Sequence, residues 1–399
     1  MKASSHVCFF TMFIARTPRE GRAIVAIPAH NEAAHIESCL AALAMQRDAT
    51  GAPVPDHAFQ ILIFANNCSD ATAETARAYA ALMPQPVSVV EETMDIQNLN
   101  AGWARKRAMD LAAIRLTDAM SAEGVILTTD ADSCVAPTWF SANMKELAAG
   151  ADCVAGYIDG QPTEILGLGR QFLSRGRLED AYLSMAAEIF ARCDPREHDP
   201  WPSHRVSSGA SLAVTLPAYT AIGGLPPRPL GEDAALTAAL DRAGFKVRHS
   251  TEVCVTTSCR LDGRAQGGAA DTMRHRHEFP DAPCDDDIEP AYRMTRRAIC
   301  RGMLRAAWGA GRHYETLGIR YRLPASTVLD LADRSIGFED AWSIIGRVSP
   351  LLQRGKPLRP SDLPRQIAIA GSILRTLRLK NPQTVRAGTR HQQLSNAIS

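Results

Sequence analysis

"RAIVAIPAHNEAAHIESCLAALAMQ", residues 22–46, changes its period in the middle. A short β-branched run comes first, a polar turn follows, and Ile36, Leu40 and Leu43 then recur at helical spacing, so a strand hands over to an amphipathic helix. "FQILIFANNCSDATAETARAYAALM", residues 59–83, repeats the scheme with an apolar run from Ile61 to Phe64 and a Ser/Asp helix start. "PVSVVEE" (86–92) reads as a third strand, "NAGWARKRAMDLAAIRL" (100–116) as a third helix and "GVILTTDADS" (124–133) as a fourth strand. Alternating βα units predict a doubly wound α/β sheet flanked by helices, and ligands on such sheets sit beyond the carboxyl ends of the strands. Three polar turns, "AHNE", "ANNCSD" and "TTDADS", are therefore expected to converge on one crevice although they lie far apart in the chain.

The last of these turns carries two acids one residue apart. In extended backbone Asp130 and Asp132 leave on the same side. Together they suit a hard divalent cation, Mn2+ or Mg2+, which binds through one or two carboxylates and keeps its other positions for water and phosphate oxygens. Such an ion bridging a diphosphate neutralises the charge that develops on a leaving group. Acids at strand ends also cap helices, so the pair alone leaves both readings open.

Composition bounds the chain further. Its 399 residues are 46% hydrophobic and 22% charged, enough for a sizeable core in one large domain or two. Ten cysteines from Cys8 to Cys300 form no CxxC pair, which points to reduced thiols in a cytoplasmic protein. "VCFFTMFIA" (7–15) is too short to span a bilayer, for which about 20 apolar residues are needed, and it lacks the features of a cleaved leader, so residues 1–21 are expected to be a flexible extension. The net charge of +1 hides an asymmetry: residues 291–399 carry 19 Lys plus Arg against 6 Asp plus Glu, or +13, and the first 290 carry 25 against 37, or −12. The basic part is helical in pattern and punctuated by prolines at 324, 350, 357, 360 and 364. The acidic, proline-rich "HEFPDAPCDDDIEP" (277–290) is expected to be a linker between a domain over 22–276 and a helical region over 291–399.

Seven short motifs, in order, resemble the family 2 glycosyltransferases: "IPAHNEAAHIESCL", "ANNCSDATAE", "NAGWARKRAM", "TTDADSCVAPTW", "SSGASLAV", "GGLPPRPLGEDAALTAAL" and "VTTSCRLDGRAQGG". The likeness covers roughly residues 22–268. It implies a GT-A fold, a Rossmann-like doubly wound mixed sheet with a C-terminal helical extension in this chain, and transfer of a sugar from a nucleotide-diphospho-sugar to an acceptor hydroxyl with inversion. It assigns the donor to Pro28, His30, Asn31, Glu32, Asn66, Asn67, Asp70, Gly102, Arg105, Asp130, Arg260 and Arg264, and the metal to Asp130 and Asp132. In the pair Glu232–Asp233, Asp233 is implied as the base that deprotonates the acceptor, with Glu232 beside it. Each assignment has a plainer alternative: Asn31 and Glu32, like Glu232 and Asp233, also suit a helix N-terminus. Asn66 stands where the family often has an aspartate that reads the base. Arg105 suits a diphosphate as a bidentate fork. His249, His275 and His277 are available as a further metal ligand, and Trp139 and Trp201 could stack on sugar, with packing the plainer role for Trp139.

The resemblance leaves rivals. "DADS" also fits a haloacid-dehalogenase-type phosphatase, although that motif normally opens its domain on the first strand. A Rossmann oxidoreductase needs a G-x-G-x-x-G that "IPAHNE" lacks. A non-catalytic nucleotide-sugar binder of the same fold is the third alternative. Nucleic acid is not expected as a partner. The basic tail has two readings: its helices dock on the acidic head, or they present Arg to an anionic membrane and hold the protein peripherally at the inner face. In the second, Ile367, Ala370, Ile373, Leu374 and Leu377 form the apolar stripe of an interfacial helix.

Overall fold

The computed structural model describes residues 22–95, 100–119, 123–263, 267–333 and 336–380. The expected N-terminal extension and Arg264 lie outside them.

The first βα units form where the period changes. β1 (Ala23–Ala29), α1 (Ile36–Ala44), β2 (Gln60–Asn66), α2 (Thr72–Ala80), β3 (Val87–Glu92), α3 (Ala101–Asp118) and β4 (Val125–Thr128) follow in turn. Three more helix-flanked strands and a short one complete an eight-stranded sheet: β5 (Ser133–Val135), β6 (Cys153–Gly160), β7 (Leu212–Thr215) and β8 (Val247–Thr257), with the short helices α5 (Pro162–Gly167), α7 (Leu216–Ala221) and α9 (Ala269–Glu278) following β6, β7 and β8. The strand order is β3-β2-β1-β4-β7-β6-β8-β5. The first four strands run parallel, β7 is antiparallel to β4 and β6, and β5 is antiparallel to β8. The sheet is thus doubly wound and mixed, as a GT-A fold requires. Alternation sorts its side chains: Val25 and Ile27 of β1 join one core with α1 and with α4 (Trp139–Ala148), while Ile24 and Ala26 join another with α3 and with α8 (Glu232–Arg242). Pro28 lacks a ladder donor, and it lies beyond the last residue of β1 paired to β4, Ala26.

A second body of helices stands beside the sheet. α6 (Gly169–Cys193) shares a core with α10 (Ala291–Ala310) and α14 (Leu363–Lys380), in which Tyr182, Ile189, Met294, Leu363 and Leu374 are buried. α11 (Tyr314–Tyr321), α12 (Ala325–Asp333) and α13 (Phe338–Val348) pack on the far side of α10 around Leu304, Leu317, Leu331 and Ile345. Residues 277–290 run against α6: Arg175 donates to the carbonyls of Pro280, Ala282 and Pro283, and Cys284 and Ile288 are buried. The charge asymmetry is answered within the molecule. Arg301 and Arg305 of α10 both meet Asp194, and Arg378 of α14 meets Glu188 of α6. The stripe of α14 turns inward, with Ala370 and Leu374 buried and Ile367, Ile373 and Leu377 packed beside them. Nine cysteines, all those among the described residues, are unpaired.

Candidate functional site

The turns after β1 and β2 lock into each other. Asn31 and Asn67 take left-handed backbone, with φ of 56° and 50°, which asparagine tolerates better than most residues. The Asn31 Oδ1 accepts from the Ser69 N–H at 2.7 Å, and Asn67 exchanges two hydrogen bonds with the backbone of Met94 at 3.1 and 2.9 Å. Asp70 accepts from the Thr72 N–H at 3.0 Å and the Ala33 N–H at 3.2 Å, and so ties the start of α2 to the turn after β1. The His30 Nδ1 donates to the Asn66 carbonyl at 2.7 Å. Because that partner can only accept, Nδ1 carries a proton, and in the neutral ring Nε2 is then the acceptor. The Asn66 side chain is buried, and its Oδ1 has no partner among the described residues. Leaving a buried amide oxygen unbonded costs about 1–3 kcal/mol, so it marks a place where a ligand donor belongs.

The stretch after β4 is a turn closed by the Ser133 N–H on the Asp130 carbonyl at 3.1 Å, not extended backbone. Its acids therefore find different arginines. Asp130 meets the Arg105 Nη2 at 2.6 Å, and Asp132 meets the Arg260 Nη2 at 2.9 Å. Arg260 also forks onto both oxygens of Glu32, at 2.6 and 2.5 Å, which carries the chain after β8 across to the turn after β1. Burial, and after it the neighbouring Asp130, pushes the Asp132 carboxyl up to about 6, with Arg260 working in the opposite direction.

Arg105 is the hub. It is buried, and its Nε meets Glu232 at 3.0 Å while its Nη1 donates to the Thr128 hydroxyl at 3.1 Å and to the Gly209 carbonyl at 2.8 Å. Burial by itself lowers its pKa, yet the charges of Asp130 and Glu232 carry it above the ordinary arginine value. Glycine is needed on both sides of this residue. A Cβ on Gly209 would lie 2.2 Å from the guanidinium carbon, and one on Gly102 would lie 1.9 Å from the Arg228 carbonyl oxygen. Glu232 faces inward to Arg105. Asp233 is only partly buried, held by the Gly209 N–H at 3.0 Å and the Ala234 N–H at 2.7 Å. The two acids begin α8, so they serve the helix N-terminus and face the crevice at the same time.

The structure thus brings together His30, Asn31, Glu32, Asn66, Asn67, Asp70, Arg105, Asp130, Asp132, Glu232, Asp233 and Arg260 around the carboxyl ends of β1, β2 and β4. A divalent cation fits the acid pair. Two oxygen donors suffice for Mg2+ or Mn2+ when phosphate and water complete the shell, and a carboxyl held protonatable by burial beside another carboxyl is one whose charge a cation would stabilise. No cluster of three His, Cys, Asp or Glu that could hold a metal occurs among the described residues. Of the histidines considered as a third ligand, His249 meets Asp199 and His275 packs on Phe279. Trp139 is fully buried and donates to the Ser211 hydroxyl at 2.8 Å, so it packs behind the sheet.

Residues 24–193 match the model of Glycosyl transferase family 2. The chain carries a glycosyl transferase family 2 domain. The match ends before Asp233 and Arg260, whose placement rests on the fold alone. No curated protein matches the chain. Among solved structures it is similar to the mannosyltransferase PcManGT from Pyrobaculum calidifontis in complex with GDP-Man and Mn2+, with 14% identity, 90% of this chain and 81% of that chain covered, and a TM-score of 0.40. It is also similar to S. aureus TarS 1–349 in complex with UDP, with 13% identity, 93% and 94% covered, and a TM-score of 0.42. A third is glucosyl-3-phosphoglycerate synthase from Mycobacterium tuberculosis in complex with Mn2+, UDP and phosphoglyceric acid, with 15% identity, 65% and 75% covered, and a TM-score of 0.37. Likenesses this distant speak for no individual residue. The family 2 domain makes the chain a glycosyltransferase acting on nucleotide sugars, and the phosphatase and non-catalytic alternatives are not favoured.

One cluster beside the site escaped sequence reasoning. Asp199 is buried and accepts from the His249 N–H at 2.9 Å and Nδ1 at 3.1 Å, from Arg248 at 3.1 Å and from Arg196 at 2.9 Å. Burial alone would raise its carboxyl, but the hydrogen bond from His249, its charge and that of Arg196 hold it well below the usual range. The His249 Nε2 lies 3.5 Å from the Ser207 hydroxyl, two residues before Gly209. The only signal was the "DPWPSH" turn, which offers no periodicity and no charge spacing to place it.

Proposed function

We propose that the transferase moves a sugar from a nucleotide-diphospho-sugar to an acceptor hydroxyl with inversion, using Asp130 and Asp132 for Mn2+ or Mg2+ and Asp233 as base. The observation that carries this reading is the single Arg105 guanidinium that bonds both Asp130 and Glu232. It holds the acids of the donor side and the acid that would face the acceptor on the same crevice. The nucleotide falls to the turns after β1 and β2, where a base N–H satisfies the Asn66 Oδ1. Asn67 and Asp70 act by shaping these turns, Pro28, His30, Asn31 and Glu32 line them, and Gly102 lets the start of α3 approach the Arg228 carbonyl beside Glu232. Arg105 supports the site from behind, since four of its five N–H groups are already spent on protein oxygens. Arg260 closes it over the donor, joined by Arg264, which lies outside the described residues.

When bound, the cation neutralises charge on the departing diphosphate. Asp233 takes the proton of the acceptor hydroxyl as that oxygen attacks the anomeric carbon from the face opposite the diphosphate. Its two backbone N–H partners fix the carboxylate's direction without occupying all its lone pairs. The acceptor is a glycan, glycolipid or small molecule. Among the described residues no helix is long and apolar enough to cross a membrane. A cytoplasmic location with peripheral contact to an anionic membrane through the basic helices completes the proposal.

Purified protein incubated with a panel of nucleotide sugars and Mn2+ should hydrolyse one donor slowly without any acceptor. Asp132→Asn should abolish that hydrolysis, and EDTA should do so reversibly. Unchanged donor binding and turnover in Asp132→Asn would remove the metal from this reading.

A further inference from the structure

Away from the sheet, α10, α11 and α14 leave a slot of about 420 Å³ between them. Tyr292, Ile299, Tyr321 and Ile373 give it apolar walls, and Arg296 and Arg320 stand at its edge. Beside it, the outer face of α14 from Arg365 past Ile369 to Ile373 is open to solvent. A slot of about 420 Å³ is within the size range of ligand pockets. The charges around the slot are unlike those elsewhere on α10. Arg297 pairs with Glu289, Arg301 with Asp194 and Glu339, and Arg305 with Asp194. Among the described residues Arg296 and Arg320 have neither an ion-pair nor a hydrogen-bond partner. They share one corner: burial pushes the Tyr321 phenol up to about 12, and Arg320 and Arg296 both act against that shift. Two guanidinium groups beside one phenol, with no counterion, over an apolar slot, are complementary to an anion that carries a hydrocarbon chain. Guanidinium suits phosphate oxygens in its planar fork.

We propose that this slot takes a hydrocarbon chain of an anionic phospholipid from a bilayer surface, with the headgroup phosphate between Arg296 and Arg320. The proposal rests on the membrane contact argued above and gives it a location and a chemistry. Apart from Ile373, which also lines the slot, the apolar stripe of α14 is spent on α6 and α10, so contact through the slot replaces contact through that stripe.

The test is flotation of the full chain with vesicles of phosphatidylcholine alone and with 30% phosphatidylglycerol. The wild type should float only with the anionic vesicles. Arg296→Ser with Arg320→Ser should weaken binding roughly 30-fold, since each basic residue near such a surface contributes about 1 kcal/mol. Ile299→Trp, which fills the slot and keeps the charge, should weaken it at least tenfold. Thr295→Trp, one turn away on the same face of α10, does the same if Ile299→Trp proves unfolded by circular dichroism. Decyl phosphate should displace the wild type from vesicles, whereas inorganic phosphate and decyl maltoside at the same concentration should not. A wild type that floats with neither vesicle overturns the membrane contact itself. Binding that survives the filled slot, or displacement by inorganic phosphate, overturns the slot while leaving a general basic surface.

Discussion

Arg105 and Asp233 divide the work that the sequence left undivided. In the sequence both are polar residues near a helix start, and the motif gives each a place beside the donor or the acceptor. Burial separates them. Arg105 is 5% exposed and bonded to Asp130, Thr128, Gly209 and Glu232, whereas Asp233 is held only by backbone N–H groups at the rim. A buried guanidinium with four of its five N–H groups on protein holds the acids of the site in place, and a carboxylate oriented from behind keeps its face for a proton. Asp233→Asn should therefore cut transfer to an acceptor by on the order of 10²-fold or more, the usual contribution of a general base, while nucleotide affinity measured by calorimetry stays near that of the wild type. Equal loss of nucleotide affinity would make Asp233 a structural residue of α8.

At the level of elements, the strands that read most clearly are those whose side chains alternate between two cores. β1 is legible because Val25 and Ile27 face one layer and Ile24 and Ala26 the other, with a helix following at once. The convergence of the polar turns followed from the βα rule alone. β5 was not legible: it has three residues and pairs with β8 more than a hundred positions away, Ser133 against Thr257. The same distance hid the site's supports, since nothing local pairs Asp199 with His249 or Glu32 with Arg260. Asp199 tests how much such a support matters. Its folded pKa lies below the unfolded value of about 3.9, so its contribution is fully present above about pH 4 and lost as pH falls through the folded pKa. Asp199→Ala should cost about 1.5–3 kcal/mol at pH 7 by removing the acceptor shared by His249, Arg248 and Arg196, although Arg248 keeps Glu146 and Arg196 keeps Asp241. In urea unfolding the gap to wild type should narrow at pH 3. A gap of the same size at both values would mean that packing, not charge, sets the cost.

Over the whole molecule, the +13 tail and −12 head were legible as opposites, but their meeting points were not, because ion pairs such as Arg378 to Glu188 join residues 190 positions apart. The helix α6 lies within the family 2 match yet buries Tyr182 and Ile189 against Met294, Leu363 and Leu374 from beyond residue 290. If the tail were an appendage on a linker, its removal would leave the transferase intact. The shared core argues otherwise. Truncation after Ser361 deletes α14, which withdraws Leu363, Ala370 and Leu374 from the cluster and leaves Glu188, 6% exposed in its side chain, with Arg192 as its remaining salt-bridge partner. Each buried leucine is worth about 1.5–3 kcal/mol, so the loss is comparable with the whole stability of an ordinary domain, about 5–15 kcal/mol. The truncated chain should lose the ordered transferase as well as the tail: nucleotide binding should fall together with the thermal transition, and the two should shift in parallel when Arg378→Ala weakens the same contact by a smaller amount. A truncated protein that keeps wild-type nucleotide affinity and its main thermal transition would show that the sheet domain stands without its helical partner.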